Sequence, residues 1–322
     1  MLKNRVMTAL ILAPLAVLAV LLLPLDGFAA LWGAVILIAA WEWTDLSGLE
    51  GVPSRAAAVG VVLAVLLTLR YSAVHWAPSV LPGWFYWPVV GWWFLCGLAF
   101  RQFPEKLLQL PYPRGVKLAV GGLVLISAWA LMVWLRVNFG PLQVLYLVVL
   151  VWVADAAAYF IGKRWGNTKL SEHISPGKTV EGAYGALLGA TLFAVAVGLA
   201  FRFEAIQVAD FAFLSLLTVM ASICGDLLES LAKRVRGVKD SSAMLPGHGG
   251  LLDRIDSLLA AVAVFYAGSL ALGIFLDLDA TATPLDLGHS QDIAPLEEPE
   301  SAGGMPSPPP GPMDAGSSPP SR

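Results

Sequence analysis

The sequence predicts an all-α fold: a polytopic integral membrane protein with about nine transmembrane helices. Three observations predict it. Of the 322 residues, 57% are hydrophobic and the mean hydropathy is +0.73, against about 45–50% apolar residues in an ordinary soluble domain. Apolar runs recur along the chain at lengths near the ~20 residues that cross a bilayer. Lys and Arg gather on alternate connections between those runs, as the positive-inside rule requires.

The expected spans are 5–24, 28–46, 56–74, 83–100, 115–135, 141–162, 180–202, 209–231 and 251–276. The first has Lys3 and Arg5 ahead of an apolar stretch, like a secretory leader. No small-residue cleavage site follows and another span begins at once, so it reads as a retained helix. With the N-terminus in the cytoplasm, 16 of the 20 Lys and Arg lie on the cytoplasmic side and 4 on the other: Arg70, Arg136, Arg202 and Arg322. An added or missing span would scramble that alternation. Trp41 and Trp43, Trp84 and Trp87, and Trp92 and Trp93 read as interfacial anchors. Cys96 and Cys224 both lie in expected spans, where cysteine serves as a small apolar side chain. The chain thus divides into an N-terminal transmembrane region (1–135), a second transmembrane region with charged cytoplasmic loops (136–276) and a tail (277–322). The tail is acidic and ends MPSPPPGPMDAGSSPPSR. Such a composition buries too little apolar surface to fold, so it reads as disordered.

Charge is scarce, at 13% of residues, and its placement carries the functional signal. Asp155 lies inside the sixth span, in VWVADAAAYFIG. It falls roughly 10 Å below the span's cytoplasmic end at 1.5 Å per residue. An intramembrane acid is costly and needs a polar cavity or a partner, or else a helix–helix hydrogen bond. The next connection contains Ser175-Pro176-Gly177-Lys178-Thr179. Hydroxyls, amides and an ammonium there suit a phosphate, although a basic cytoplasmic loop also serves simply to set topology. In the eighth span Asp226, Glu229, Ser230 and Lys233 share one helix face, with Arg234 beside them. Asp253 and Asp256 stand one turn apart where the ninth span leaves the cytoplasm. Helix capping accounts for one of them but not easily for both. His248, in Pro-Gly-His-Gly-Gly, is either a turn residue or a site residue. The acids therefore fall at matching depth on three spans. Carboxylates brought together repel unless bridged by cations, and oxygen ligands beside Lys and Arg favour Mg²⁺ or a similar hard ion.

At these residues the chain resembles the phosphatidate cytidylyltransferases, also called CDP-diacylglycerol synthases, of bacterial type. The family signature is met by Ser230, Lys233, Arg234, Lys239, Asp240, Pro246, His248, Gly249, Gly250, Asp253, Arg254 and Asp256. Upstream blocks are matched by Asp155, Ala158 and Tyr159, by Ser175 through Thr179, and by Gly225 through Ser230. MLKNRV at the start and AAWEW at 39–43 look like bacterial members too. The resemblance covers residues 1–276 and leaves out the tail. It implies that CTP and phosphatidate give CDP-diacylglycerol and pyrophosphate, with Mg²⁺ and often K⁺. It implies a homodimer in the plasma (inner) membrane with a cytoplasmic site, and no nucleic acid as partner. Asp226 and Asp253 become the expected metal ligands, with Asp256 and Asp155 as supporting ligands. Lys178, Lys233, Arg234, Lys239 and Arg254 would hold phosphates, with Ser175 and Thr179 beside the substrate. Asp240 would join the catalytic group, and His248 would orient substrate or loop. Two other readings of the acids are a CTP-dependent polyprenol or dolichol kinase and, from a different class, an ion transporter.

Overall fold

The computed structural model describes the backbone of residues 2–75, 81–244 and 249–276, and side chains from residue 11 onward within those stretches except 73–75. The expectations for His248 and for the 277–322 tail lie outside the described residues. The elements run α1 (Leu2–Leu22), α2 (Leu25–Leu46), α3 (Val52–His75), α4 (Gly83–Gln102), α5 (Pro104–Gln109), α6 (Arg114–Trp165), β1 (Lys169–Ser171), β2 (Ser175–Thr179), α7 (Val180–Ala200), α8 (Ala205–Arg236) and α9 (Leu252–Leu272). The fold is that of an all-α integral membrane protein.

Six helices among the described residues are long and apolar enough to cross a membrane: α2, α3, α6, α7, α8 and α9. That is fewer than the nine expected. α4 coincides with an expected span but falls short because its Trp, Tyr and Pro residues dilute its hydropathy, and of α1 only Ile11–Leu22, all within the first expected span, has described side chains. α6 carries the fifth and sixth expected spans as one bent helix. Its 52 residues make about 78 Å of helix at 1.5 Å per residue, over twice the ~30 Å hydrocarbon core. The break falls at Gly140, whose φ of +78° and ψ of −176° are non-helical, and at Pro141 after it. Glycine adopts that φ at no steric cost, and proline cannot supply the helical N–H.

The core is built where α6 packs on α2, α7 and α9, and α8 on α9. Burial of Leu125, Leu131, Leu135, Leu147 and Leu150 on α6 and of Phe211, Phe265 and Tyr266 on α8 and α9 centres it. Tyr146 stacks on Phe265 and bonds Ser215 through its hydroxyl at 2.6 Å. Two tryptophans belong to this interior and not to the interface. Trp93 is 2% exposed, and Trp43 is buried, its indole N–H donating to the Lys117 carbonyl at 2.8 Å. Trp84 and Trp87 do stand exposed.

The connection between α6 and α7, expected as a loop, is an antiparallel hairpin of β1 and β2. Tertiary anchors shape it. Ile174, at its turn, is fully buried with Phe100, Leu227 and Leu231. Arg234 of α8 donates from Nε to the Ile174 carbonyl at 3.2 Å. Thr179 closes the hairpin and caps α7, accepting from the Gly182 N–H at 3.1 Å. The hairpin is thereby clamped against the end of α8.

Candidate active site

Two close approaches bring the acids together. At Gly225 of α8 a Cβ would stand 2.4 Å from the Asp256 carbonyl oxygen, so only glycine lets α8 lie this near α9. That contact sets Asp226 and Glu229 beside Asp256. The clamped hairpin then lays Lys178 on Asp226, and the two form an ion pair. The Asp226 Oδ1 also accepts from the Ser230 hydroxyl at 3.2 Å, one turn along the helix.

A second cation closes the other half. Lys233 Nζ lies 2.7 Å from Glu229 Oε2 and 2.5 Å from Asp253 Oδ1. Asp253 Oδ2 accepts three more bonds, from the Ser241 N–H at 3.0 Å, the Ser241 hydroxyl at 2.9 Å and the Gly250 N–H at 2.8 Å. Asp256 is buried, accepts from the Ser257 N–H at 2.7 Å and lies in electrostatic range of Asp226, Glu229 and Lys178. Asp155, on α6, is exposed and lies in electrostatic range of Lys178, Asp226 and Arg254. The acids of three helices thus form one continuous network with two ammonium groups threaded through it.

Several residues expected at the site sit differently. Thr179 spends its hydroxyl oxygen on the α7 cap, and Arg234 holds the hairpin and the Val238 carbonyl. Both build the site's frame in this arrangement. Ser175 is half-buried at the start of β2, while Lys239 and Asp240 are exposed on the connection after α8. Arg254 is exposed on the first turn of α9.

All the donors in the network are oxygens, which suits a hard cation. Glu229 Oε1 is buried and has no hydrogen-bond partner among the described residues, and such an orphan is costly unless something meets it. No group of three acids among the described residues forms a ready cage for an ion. Mg²⁺ characteristically takes one or two carboxylates together with substrate phosphates, not an all-protein cage. The donor set therefore fits a nucleotide-bound divalent ion.

Residues 3–271 match the model of the cytidylyltransferase family. The chain belongs to the cytidylyltransferase family. Similar proteins include the phosphatidate cytidylyltransferase of Pseudomonas aeruginosa, 42% identical over 270 residues that cover 83% of this chain and 96% of that one. That of Haemophilus influenzae is 36% identical over 288 residues, covering 82% and 97%. That of Thermotoga maritima is 30% identical over 274 residues, covering 82% and 95%. As a cytidylyltransferase the chain is a nucleotidyltransferase.

Sequence reasoning missed Glu42 and Ser241, and noticed Glu229 without giving it a role. Glu42 carried a usable signal, being an acid within the apolar run AAWEW. Its tryptophan neighbours made that stretch read as an interface.

Proposed function

We propose that this cytidylyltransferase joins CTP to phosphatidate, forming CDP-diacylglycerol and releasing pyrophosphate. A phosphate oxygen of phosphatidate forms a bond to the α-phosphorus of CTP. The bond from that phosphorus to the bridging oxygen of the β-phosphate breaks, and the electron pair leaves with pyrophosphate. The observation that carries this reading is the network of Lys178, Lys233 and the acids of α6, α8 and α9 in a family member.

The chemistry asks little beyond what those residues supply. A phosphate monoester has a second pKa near 6 and is largely dianionic at neutral pH, so the nucleophile needs no base. The barrier lies in bringing two polyanions together and in line, which positioning and positive charge lower. Lys178 and Lys233, held by carboxylates, supply positive charge for the phosphates. Arg254, exposed on the first turn of α9 and in electrostatic range of Asp155, adds a third cation. Asp226 and Asp253 would hold Mg²⁺, with Asp256 and Glu229 behind them and Asp155 to one side. When bound there, the ion supplies neutralisation of phosphate charge.

The 16-to-4 distribution of Lys and Arg supports a cytoplasmic site reached by CTP from water and by phosphatidate from the inner membrane. The same reading carries nine crossings and a homodimer, whose mass light scattering of the purified protein measures.

Purified protein, phosphatidate and CTP labelled at the α- or γ-phosphorus test the reaction. The α-label should enter the lipid, the γ-label should leave as pyrophosphate, and a chelator should stop both. A γ-label in the lipid would mark a lipid kinase instead, and no CTP turnover at all would reject the assignment.

A further inference from the structure

Glu42 of α2 is 1% exposed, yet four donors converge on it from another part of the chain. Oε1 accepts from the Ser242 hydroxyl at 2.6 Å and the Leu251 N–H at 3.0 Å. Oε2 accepts from the Leu252 N–H at 2.7 Å, and the Ser241 hydroxyl stands 3.2 Å away, its one proton shared between Glu42 and Asp253. Two of these donors are orphan N–H groups at the start of α9, a helix that no side chain of its own caps. The other two belong to the connection that carries Ser241. That same Ser241 hydroxyl stands 2.9 Å from Asp253 Oδ2. The connection is pressed down on this point: a Cβ at Gly250 would lie 2.7 Å from both Glu42 oxygens and 1.9 Å from Ser241 Oγ.

We propose that Glu42 is a positioning residue for the transfer reaction, acting through Ser241 and the first turn of α9 to fix the Asp253 carboxylate. The inference rests on the reading of Asp253 as a cation ligand. Glu42 caps α9 from a different helix, so it sets where the first turn sits and not merely that it is helical. Through Ser241 it fixes which oxygen of Asp253 is tied down, leaving Oδ1 facing Lys233 and the site. A partner that orients a ligating carboxylate is worth roughly 10- to 100-fold in metal affinity or activity.

The test uses the full chain in detergent, with Glu42→Gln, Ser241→Ala and Asp253→Asn. An amide at position 42 sets a donor against the donors of Leu251 or Leu252. Glu42→Gln should lower kcat at least tenfold and raise the Mg²⁺ concentration for half-activity severalfold. It should also weaken Mn²⁺ binding in the presence of CTP, read by the free-Mn²⁺ resonance without turnover. Ser241→Ala keeps both backbone bonds to Glu42 and should shift the Mg²⁺ requirement in the same direction by less. It carries the test alone if Glu42→Gln does not fold. A lower melting temperature with unchanged Mg²⁺ and Mn²⁺ dependence in the folded variants would make Glu42 a structural cap only and overturn the proposal. Asp253→Asn separates the two readings: if it binds Mn²⁺ and turns over normally, the cation-ligand reading has failed and the positioning role falls with it.

Discussion

Lys233 of α8 reaches across to Asp253 of α9, its Nζ 2.5 Å from Oδ1, while the same nitrogen lies 2.7 Å from the buried Glu229. One ammonium thus joins the two helices that carry most of the acids. Removing it strands two nearly buried carboxylates, a loss worth roughly 3 kcal/mol when a buried partner is deleted. Lys233→Met should therefore lower the melting temperature by several degrees and cut turnover more than a hundredfold. The double variant Lys233→Met/Glu229→Gln should recover most of the melting temperature and none of the turnover, because it removes a stranded charge without restoring a phosphate partner. Thermal melts and initial rates on the same samples check both halves, and full recovery of rate in the double variant would remove Lys233 from the reaction.

Asp226→Asn and Asp253→Asn should each lose more than a hundredfold in kcat while the protein stays folded. Losing an interaction of several kcal/mol in the transition state has that consequence. Asp226 is half-buried beside Lys178 and Asp253 is held by Lys233 and Ser241, so the amides fill the same space. Rates at saturating Mg²⁺ decide the matter, and near-normal turnover in either variant would withdraw that residue as a ligand.

Gly225→Ala tests the helix contact that assembles the site. The added methyl would fall 2.4 Å from the Asp256 carbonyl oxygen and 3.0 Å from the Ala260 Cβ. Backbone cannot yield cheaply there, so α8 and α9 must part. The expected result is a lower melting temperature, an overpacking cost of about 1–3 kcal/mol, and a fall in kcat of at least tenfold. An active, equally stable variant would mean the helices have slack.

The convergence of Asp155, Asp226, Asp253 and Asp256 was legible in the sequence, because an acid in an apolar span announces its depth and three spans agreed. The expected spans 115–135 and 141–162 left the joint between them unread, where the structure runs one bent helix through Gly140-Pro141. Nor was the hairpin legible. Its residues, Ser, Pro, Gly and Lys among them, are poor strand formers, and it is held by Ile174 and Arg234 packing on α8, a tertiary effect. Trp43 and Trp93 misled because amphipathic rings look alike in sequence whether they anchor an interface or fill a core. Glu42 stayed hidden because its partners lie some two hundred residues away, at Ser241, Ser242, Leu251 and Leu252. No local pattern marks a cap donated by another helix.

Access to the site gives the last prediction. With Cys96 and Cys224, which are both free, replaced by Ala, a single Cys is placed at Glu172 or at Ala205. Glu172 is exposed at the hairpin turn, and Ala205 is exposed where α8 begins, at the far end of that helix from Lys233. On the positive-inside rule the charge distribution, 16 Lys and Arg against 4, would set the hairpin in the cytoplasm and the α7–α8 connection opposite. A membrane-impermeant thiol reagent should then label Ala205→Cys in intact cells, and Glu172→Cys only after the inner membrane is opened. α8 is 32 residues long, about 48 Å at 1.5 Å per residue, so its two ends can lie on opposite sides of the bilayer. Labelling of Glu172→Cys in intact cells would put the charged network on the side without CTP, and the assignment of substrate could not stand.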